Sequence, residues 1–275
     1  MHTIGLIYNP HVEAARVLGE KILAWLTARQ VQAWLCAGQE SVPVQGPAEL
    51  FVTLGGDGTI LRTMQRAAPA GVPVLGINLG RVGFLTEASP ETWEQVLTRV
   101  LAGEGWIEIR AMLRVTLLRD GVAIAQEDAL NDAVISRGAL ARTLRLETSI
   151  DGAFVTRYVA DGLILATATG STAYAYAAGG PILPPWHNSI LLVPAAPHLS
   201  LERPLVLDKE AVIEVRVNTE VPGMLTVDGR MEGELHHGDL VRIERSPLKA
   251  RFLRLRSRND FYRTLVARLT PRNGE

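Results

Sequence analysis

Six residues, Leu54-Gly55-Gly56-Asp57-Gly58-Thr59, carry the sharpest chemical signal in this 275-residue chain. They follow an apolar run of strand type, Leu50 to Leu54, and precede a stretch of helical periodicity from Thr59 to Ala68. Glycine lets backbone amides come close to an anion, and a helix N-terminus adds unpaired donors and a favourable dipole. A phosphate is the natural guest of such a loop. Asp57 is its odd member, because a carboxylate repels phosphate unless it also handles a proton or a cation. Set beside a substrate hydroxyl, it would orient that group and accept its proton, while positioning and charge neutralisation supply the rest of a phosphoryl transfer. A turn or helix-capping aspartate is the plainer reading of the same residue.

Two further constellations stand out. Asn131-Asp132 lies inside the apolar run Ala129 to Ile135, where an adjacent amide and carboxylate are costly unless they meet partners. A ribose diol would supply them; a bulge or turn is the alternative. The segment Asp161 to Tyr174, followed by Ala178-Gly179-Gly180-Pro181-Ile182, is rich in Gly, Ser and Thr. Small residues let a nucleotide reach backbone and hydroxyl donors, and Tyr174 could lie beside a base. Small-residue packing of a β core is the competing reading. Gly170-Ser171 lacks the second glycine of a nucleophile elbow, and His187, His198, His236 and His237 lack metal-ligand spacing, so no protein metal site is expected.

Gly55 to Thr59 resembles the signature loop shared by NAD kinases, diacylglycerol and sphingosine kinases and, more loosely, phosphofructokinases. Asn78 to Thr86 is similar to the asparagine-glycine-phenylalanine-leucine segment of NAD kinases, which lipid kinases are not expected to have. Asn131-Asp132 matches the family's asparagine-acid motif, and Asp161 to Tyr174 resembles its long motif almost throughout. These motifs occur in the family's order over nearly the whole chain.

The resemblance implies transfer of the terminal phosphate of ATP to the 2′-hydroxyl of the adenosine ribose of NAD, giving NADP. Asp57 would be the catalytic base, and Gly55, Gly56, Gly58, Thr59 and Arg62 would form the phosphate loop for ATP. NAD contacts are implied for Asp57, Gly58, Asn131, Asp132, Arg142 and Asp161, and for Thr169, Ser171, Thr172, Ala173, Tyr174 and Ala177. NAD is expected between two domains. A divalent cation, Mg2+, would arrive on the ATP phosphates, since that ion keeps waters and few protein ligands. A homodimer or homotetramer is implied as well. Three positions depart from the family pattern, Ala168 for proline, Val159 for arginine and Arg230 for glutamine, and they bear on the nicotinamide half. A lipid or sphingoid-base kinase sharing the loop, and a dinucleotide-binding regulator without catalysis, are the other readings.

The elements that must position these residues follow from periodicity. Strand-like Thr3 to Tyr8 leads to a helix over Val12 to Arg29, with Ala15, Leu18, Ile22 and Leu26 on one face. Strands at Leu50 to Leu54 and Val74 to Asn78 alternate with helices at Thr59 to Ala68 and Pro90 to Ala102, the order of an open, mostly parallel α/β sheet. After Gly105 the pattern changes to short β-branched runs, with Asp-Gly pairs at 120, 151 and 228 read as hairpins. The expected organisation is an α/β domain over residues 1–105, a mostly antiparallel β domain over 106–255 with the hinge near Gly103 to Trp106, and a C-terminal segment, 256–275, packing back on the body. In that last segment Phe261, Tyr262, Leu265 and Leu269 have helical spacing. Lys249, Arg251, Arg254, Arg256 and Arg258 alternate with apolar residues, as in a strand with one solvated face.

Composition excludes other classes. A net charge of −1 with interspersed signs offers no nucleic-acid footprint. The uncharged stretch from Gly162 to Leu201 is broken by Gly, Pro, Ser, Thr and Asn, which lipid would leave unsatisfied, so it reads as buried protein around a pocket and not as a membrane span. A start without a signal-peptide pattern and a single cysteine, Cys36, expected to be buried, imply a cytoplasmic protein.

Overall fold

A computed structural model of the chain describes residues 3–38, 48–80, 83–138, 142–198, 201–219 and 221–269. It divides into two compact units, Met1–Ile109 with Ala250–Glu275, and Arg110–Lys249.

The first unit opens with β1 (Thr3–Tyr8), α1 (Glu13–Thr27), β2 (Gln32–Ala37), β3 (Leu50–Leu54), α2 (Asp57–Ala70), β4 (Val74–Ile77) and α3 (Trp93–Leu101). Its strands run parallel in the order β2-β1-β3-β4. β3 and β4 are buried on both faces, which explains their unbroken apolar runs. α1 turns Ala15, Ile22 and Leu26 into a core shared with Ile4, Leu6 and Val52. Burial also pushes the Cys36 thiol up from its ordinary value, so it is a packing residue and a poor nucleophile.

In the second unit the chain continues through β5 (Trp106–Arg119), β6 (Val122–Ala129), β7 (Asp132–Arg137), β8 (Leu144–Ile150), β9 (Ala153–Ala160), β10 (Gly162–Ala166), the single turn α4 (Tyr174–Ala177) and β11 (Ile190–Ala195). It then adds β12 (Leu205–Leu207), β13 (Ile213–Val217), β14 (Gly223–Val227), β15 (Arg230–Leu235) and the start of β16 (Leu240–Arg254), whose last residues, with α5 (Asp260–Leu269), belong to the first unit. Six strands form a fully antiparallel sheet, β12-β11-β10-β7-β14-β15. β13, β8 and β9 pair antiparallel, as do β5 and β6. The fold is thus an α/β unit with a mostly parallel sheet and a unit of antiparallel β structure.

The three Asp-Gly pairs are hairpin tips, with Asp120, Asp151 and Asp228 at φ 50°, 51° and 49° and a positive-φ glycine after each. Two consecutive positive-φ residues match the right-handed twist of the strands they join. The uncharged stretch contributes β10 and β11, central strands whose alternate residues enter two cores. Leu163, Leu165, Ile190 and Leu192 face one, while Ile164, Ala166, Leu191 and Val193 face another beneath Ala175 of α4. No helix among the described residues is long and apolar enough to cross a membrane.

Some boundaries differ from the periodicity. α2 starts at Asp57, two residues before the apolar pattern, because Gly56 serves as its N-cap and the aspartate fills the first turn. α3 starts at Trp93 because Ser89 donates its amide to Thr92 Oγ1 and forms a turn first. The basic run does not keep one solvated face: Lys249 and Arg251 are exposed, but Arg254 is buried among acidic partners. Residues 270–275 of the expected C-terminal segment lie outside the described residues.

Candidate active site

Where parallel strands leave a sheet on opposite sides of the first, their carboxyl ends open a crevice for ligands. In the first unit the chain goes from β1 outward to β2 and then to β3 on the other side of β1, so this switch lies between β1 and β3. Gly55 and Gly56 lie at that end of β3, and the Asn9 amide closes it by donating to Leu54 O at 2.9 Å. Gly56, Gly58 and Arg62 are exposed, whereas Thr59 is buried. Arg62 donates from Nε to Gly58 O at 3.3 Å, which braces the first turn of α2.

Asp57 is partly buried and its two carboxylate oxygens are held separately. Phe84 N–H donates to Oδ2 at 3.1 Å and Leu85 N–H donates to Oδ1 at 3.3 Å. Gly83 lies flat against the same carboxylate, and a Cβ there would collide with Oδ1. The Asn78 to Thr86 segment thus reaches Asp57 directly; Arg81 and Val82 lie outside the described residues. The aspartate is not the helix cap, since Gly56 holds the N-cap position and the Asp57 oxygens accept amides from another loop.

The second unit brings the other two motifs together. Asp132 begins β7 opposite Ala166, the last residue of β10, so the Thr167 to Ala177 segment starts beside Asn131. Thr167 N–H donates to Asn131 O at 2.9 Å and its Oγ1 donates to Leu130 O at 2.6 Å. Gly170 packs on the Asn131 backbone so closely that a Cβ would overlap its carbonyl.

The hydroxyls of this segment have internal duties. Ser171 Oγ donates to Ala168 O at 2.7 Å and accepts the Leu183 amide at 2.9 Å, while Thr172 Oγ1 donates to Thr169 O at 3.2 Å. Thr169 Oγ1 accepts from Nη1 of buried Arg110 at 3.4 Å. Ala173 is half-buried, whereas Ala177 is exposed, as are Tyr174 and Tyr176 at 50% and 43%.

Asp161 is not part of this cluster. Gly162 pairs with Ser136 and Ala166 with Asp132, so Asp161 sits at the other end of β10, where its Oδ1 meets Arg137 Nε at 3.2 Å. Arg142 stands exposed ahead of β8, and residues 139–141 before it lie outside the described residues.

Sequence reasoning read Asp228 only as a hairpin residue. Its carboxylate accepts three successive amides, from Leu130 at 2.8 Å, Asn131 at 2.7 Å and Asp132 at 3.2 Å. Burial raises the Asp228 carboxyl above its ordinary value despite these bonds. Burial and then the Asp228 charge push Asp132 up from 3.8 to about 7. Two buried carboxylates side by side cannot both ionise cheaply. A second acidic residue at a hairpin tip with flanking apolar strands was the available signal, but nothing local says which amides it faces. Of the departures from the family pattern, Arg230 pairs with Glu127 and Glu232, both at 3.3 to 3.5 Å, and Ala168 is buried.

The chain matches the model of the ATP-NAD kinase N-terminal domain over residues 44–105 and that of the ATP-NAD kinase C-terminal domain over residues 130–255. Together these define a phosphotransferase. It is 40% identical over 274 residues to an NAD kinase of Dehalococcoides mccartyi, covering 98% of this chain and 96% of that one. To an NAD kinase of Symbiobacterium thermophilum it is 43% identical over 268 residues, covering 93% and 94%. The structure resembles yeast NADH kinase complexed with NADH, with a TM-score of 0.88 and 27% identity over 100% of this chain and 90% of the other. It also resembles an NAD kinase from Archaeoglobus fulgidus in complex with ATP, with a TM-score of 0.74 and 29% identity over 98% and 100%. The chain belongs to the NAD kinase family.

Proposed function

We propose that Asp57 is the base that accepts the proton of the adenosine 2′-hydroxyl of NAD while the terminal phosphate of ATP moves to that oxygen. The bond from the ribose oxygen to phosphorus forms, the bond from phosphorus to the bridging oxygen of ATP breaks, and ADP leaves with the electron pair. The observation that carries this is the hold on Asp57: two backbone amides fix its carboxylate at the carboxyl end of β3, beside the exposed glycines of a helix N-terminus. A carboxylate fixed in this way costs little further ordering at the moment of reaction.

The Gly55 to Thr59 loop and Arg62 serve ATP. Asn131 and Asp132 bind the adenosine part of NAD, with Thr169 to Tyr174 and Ala177 beside them and Ser171 holding that segment in shape. Arg142 and Asp161 are assigned to NAD by family resemblance. The loop offers backbone amides and one carboxylate, a donor set that suits phosphate oxygens with a cation already attached, so Mg2+ comes with ATP. When bound, it neutralises charge on the phosphates. Resemblance to the family further supports a cytoplasmic homodimer or homotetramer.

Incubating the full chain with NAD, ATP and Mg2+ should yield NADP. Asp57→Asn should lower kcat by roughly 10²-fold or more with KM for NAD little changed. Near-normal turnover in that variant would end the assignment.

A further inference from the structure

Behind the loop that holds Asp57 lies a buried ionic cluster whose strength is spent on one peptide segment. Arg254 near the end of β16, Glu87 and Glu108 have side chains only 8%, 3% and 8% exposed. Arg254 Nε donates to Glu108 Oε2 at 2.8 Å, and its Nη1 donates to Leu85 O at 2.8 Å and to Glu87 Oε2 at 3.4 Å. Glu87 Oε1 in turn accepts the amides of Leu255 and Arg256, each at 2.9 Å, while Arg256 Nη2 donates to Glu87 O at 2.7 Å. The segment from Leu85 to Glu87 is therefore clamped at two carbonyls and one side chain.

A buried ion cluster is a poor stabiliser compared with apolar residues of the same volume, because desolvation cancels most of the attraction. Geometry is what this one supplies. Leu85 is bound at both ends, its carbonyl to Arg254 and its amide to Asp57 Oδ1, so a single buried residue separates the guanidinium from the carboxylate. Phe84 N–H and the flat face of Gly83 fix the other side of Asp57. The Arg254 fork, which also lies over the Phe252 ring at 4.8 Å, has its own freedom removed.

We propose that Arg254 is a positioning residue for phosphoryl transfer: by holding the Leu85 carbonyl it sets the two amides that aim the Asp57 carboxylate. This rests on Asp57 being the base. Lysine keeps the charge but lacks the planar fork needed to reach Leu85 O and Glu108 at once.

The test compares Arg254→Lys and the charge-matched Arg254→Gln/Glu108→Gln in the full chain, each alone and combined with Asp57→Asn. Folding is followed by circular dichroism and rates by NADP formation. Expected is a loss in kcat of about 10-fold in each variant, with KM for NAD and for ATP within about twofold, since misaiming a reacting group costs turnover and leaves binding intact. In the Asp57→Asn background the same changes should cause no further loss, because both act through one group. A folded Arg254→Lys with kcat within twofold of the parent overturns the proposal, and so does a full additional loss on Asp57→Asn. An Arg254→Lys chain that does not fold also overturns it, because the cluster would then serve the fold itself. Should Asp57→Asn alone retain its turnover, the assignment of the base fails. If Asp57→Asn is inactive while Arg254→Lys is normal, only the positioning role fails.

Discussion

Each unit carries an aspartate in its assigned site, and the two are held in opposite ways. Asp57 accepts two backbone amides itself and stays partly open to solvent. Asp132 is 6% exposed, and the amides around it go to Asp228, which takes those of Leu130, Asn131 and Asp132 and leaves the Asp132 side chain facing another acid. Fixing a carboxylate through its own oxygens sets the direction in which its remaining lone pairs point. Fixing its backbone through a second carboxylate sets its place but raises the cost of its charge. The first arrangement suits a group that must receive a proton, the second a group whose task is to recognise a ligand.

That contrast breaks most visibly at Gly83. A methyl group there overlaps Asp57 Oδ1, so Gly83→Ala should displace the carboxylate and lower kcat by about 10²-fold with KM for NAD nearly constant. Steady-state assays of NADP formation decide it, and an unchanged kcat would show that the hold on Asp57 has no part in turnover.

On the other side, Asp228→Asn keeps one carbonyl acceptor for three amide donors and leaves at least one of them unpaired. KM for NAD should rise about 10-fold, while KM for ATP stays within about twofold. Equal changes in both constants would mean that the two sites are not separable in this way.

The smallest effect is one of pH. The Asp132 proton is released near 3.8 in the unfolded chain and near 7 in the folded one, because of burial and then Asp228. Between those values the folded state binds the extra proton, so this group's contribution to stability falls as pH rises from about 4 to about 7 and stays lost above. In urea unfolding without NAD, Asp132→Asn should remove that slope and be the more stable form at pH 8 by about 1 kcal/mol or more. Parallel stability curves for the two chains would place the pair in a wetter setting than its burial indicates.

The fold was readable where local chemistry dictates it. Apolar runs marked the doubly buried strands β3 and β4, and Asp-Gly pairs marked three hairpins, whereas the uncharged stretch from Gly162 onward read only as buried protein and its strands β10 and β11 emerged from the structure. Glycine spacing around Asp57 and the Asn131-Asp132 pair marked the candidate motifs, which the structure holds at the carboxyl end of β3 and at the start of β7. What escaped was long-range. Arg254 has the look of an exposed strand position because basic residues alternate with apolar ones from Lys249 to Arg258, and only Glu87 and Glu108, distant in sequence, turn it inward. Asp228 gave the signal of a turn, and its three amide partners lie 96 to 98 residues earlier. Asp161 belongs to a continuous motif in sequence, yet an extended strand carries it away from Asn131, a separation that a linear pattern hides.

The return of β16 to the first unit sets a timetable for the newborn chain. Glu87 leaves the ribosome 167 residues before the arginine that neutralises it, and Glu108 waits 146 residues for the same partner. At roughly 5–20 residues per second, that is a delay of roughly 10–30 s in which those carboxylates must remain hydrated and the loop behind Asp57 unlatched. The all-β unit, contiguous from Arg110 to Lys249, is synthesised whole before this latch exists. The half of the enzyme that begins the sequence is therefore the last to be finished.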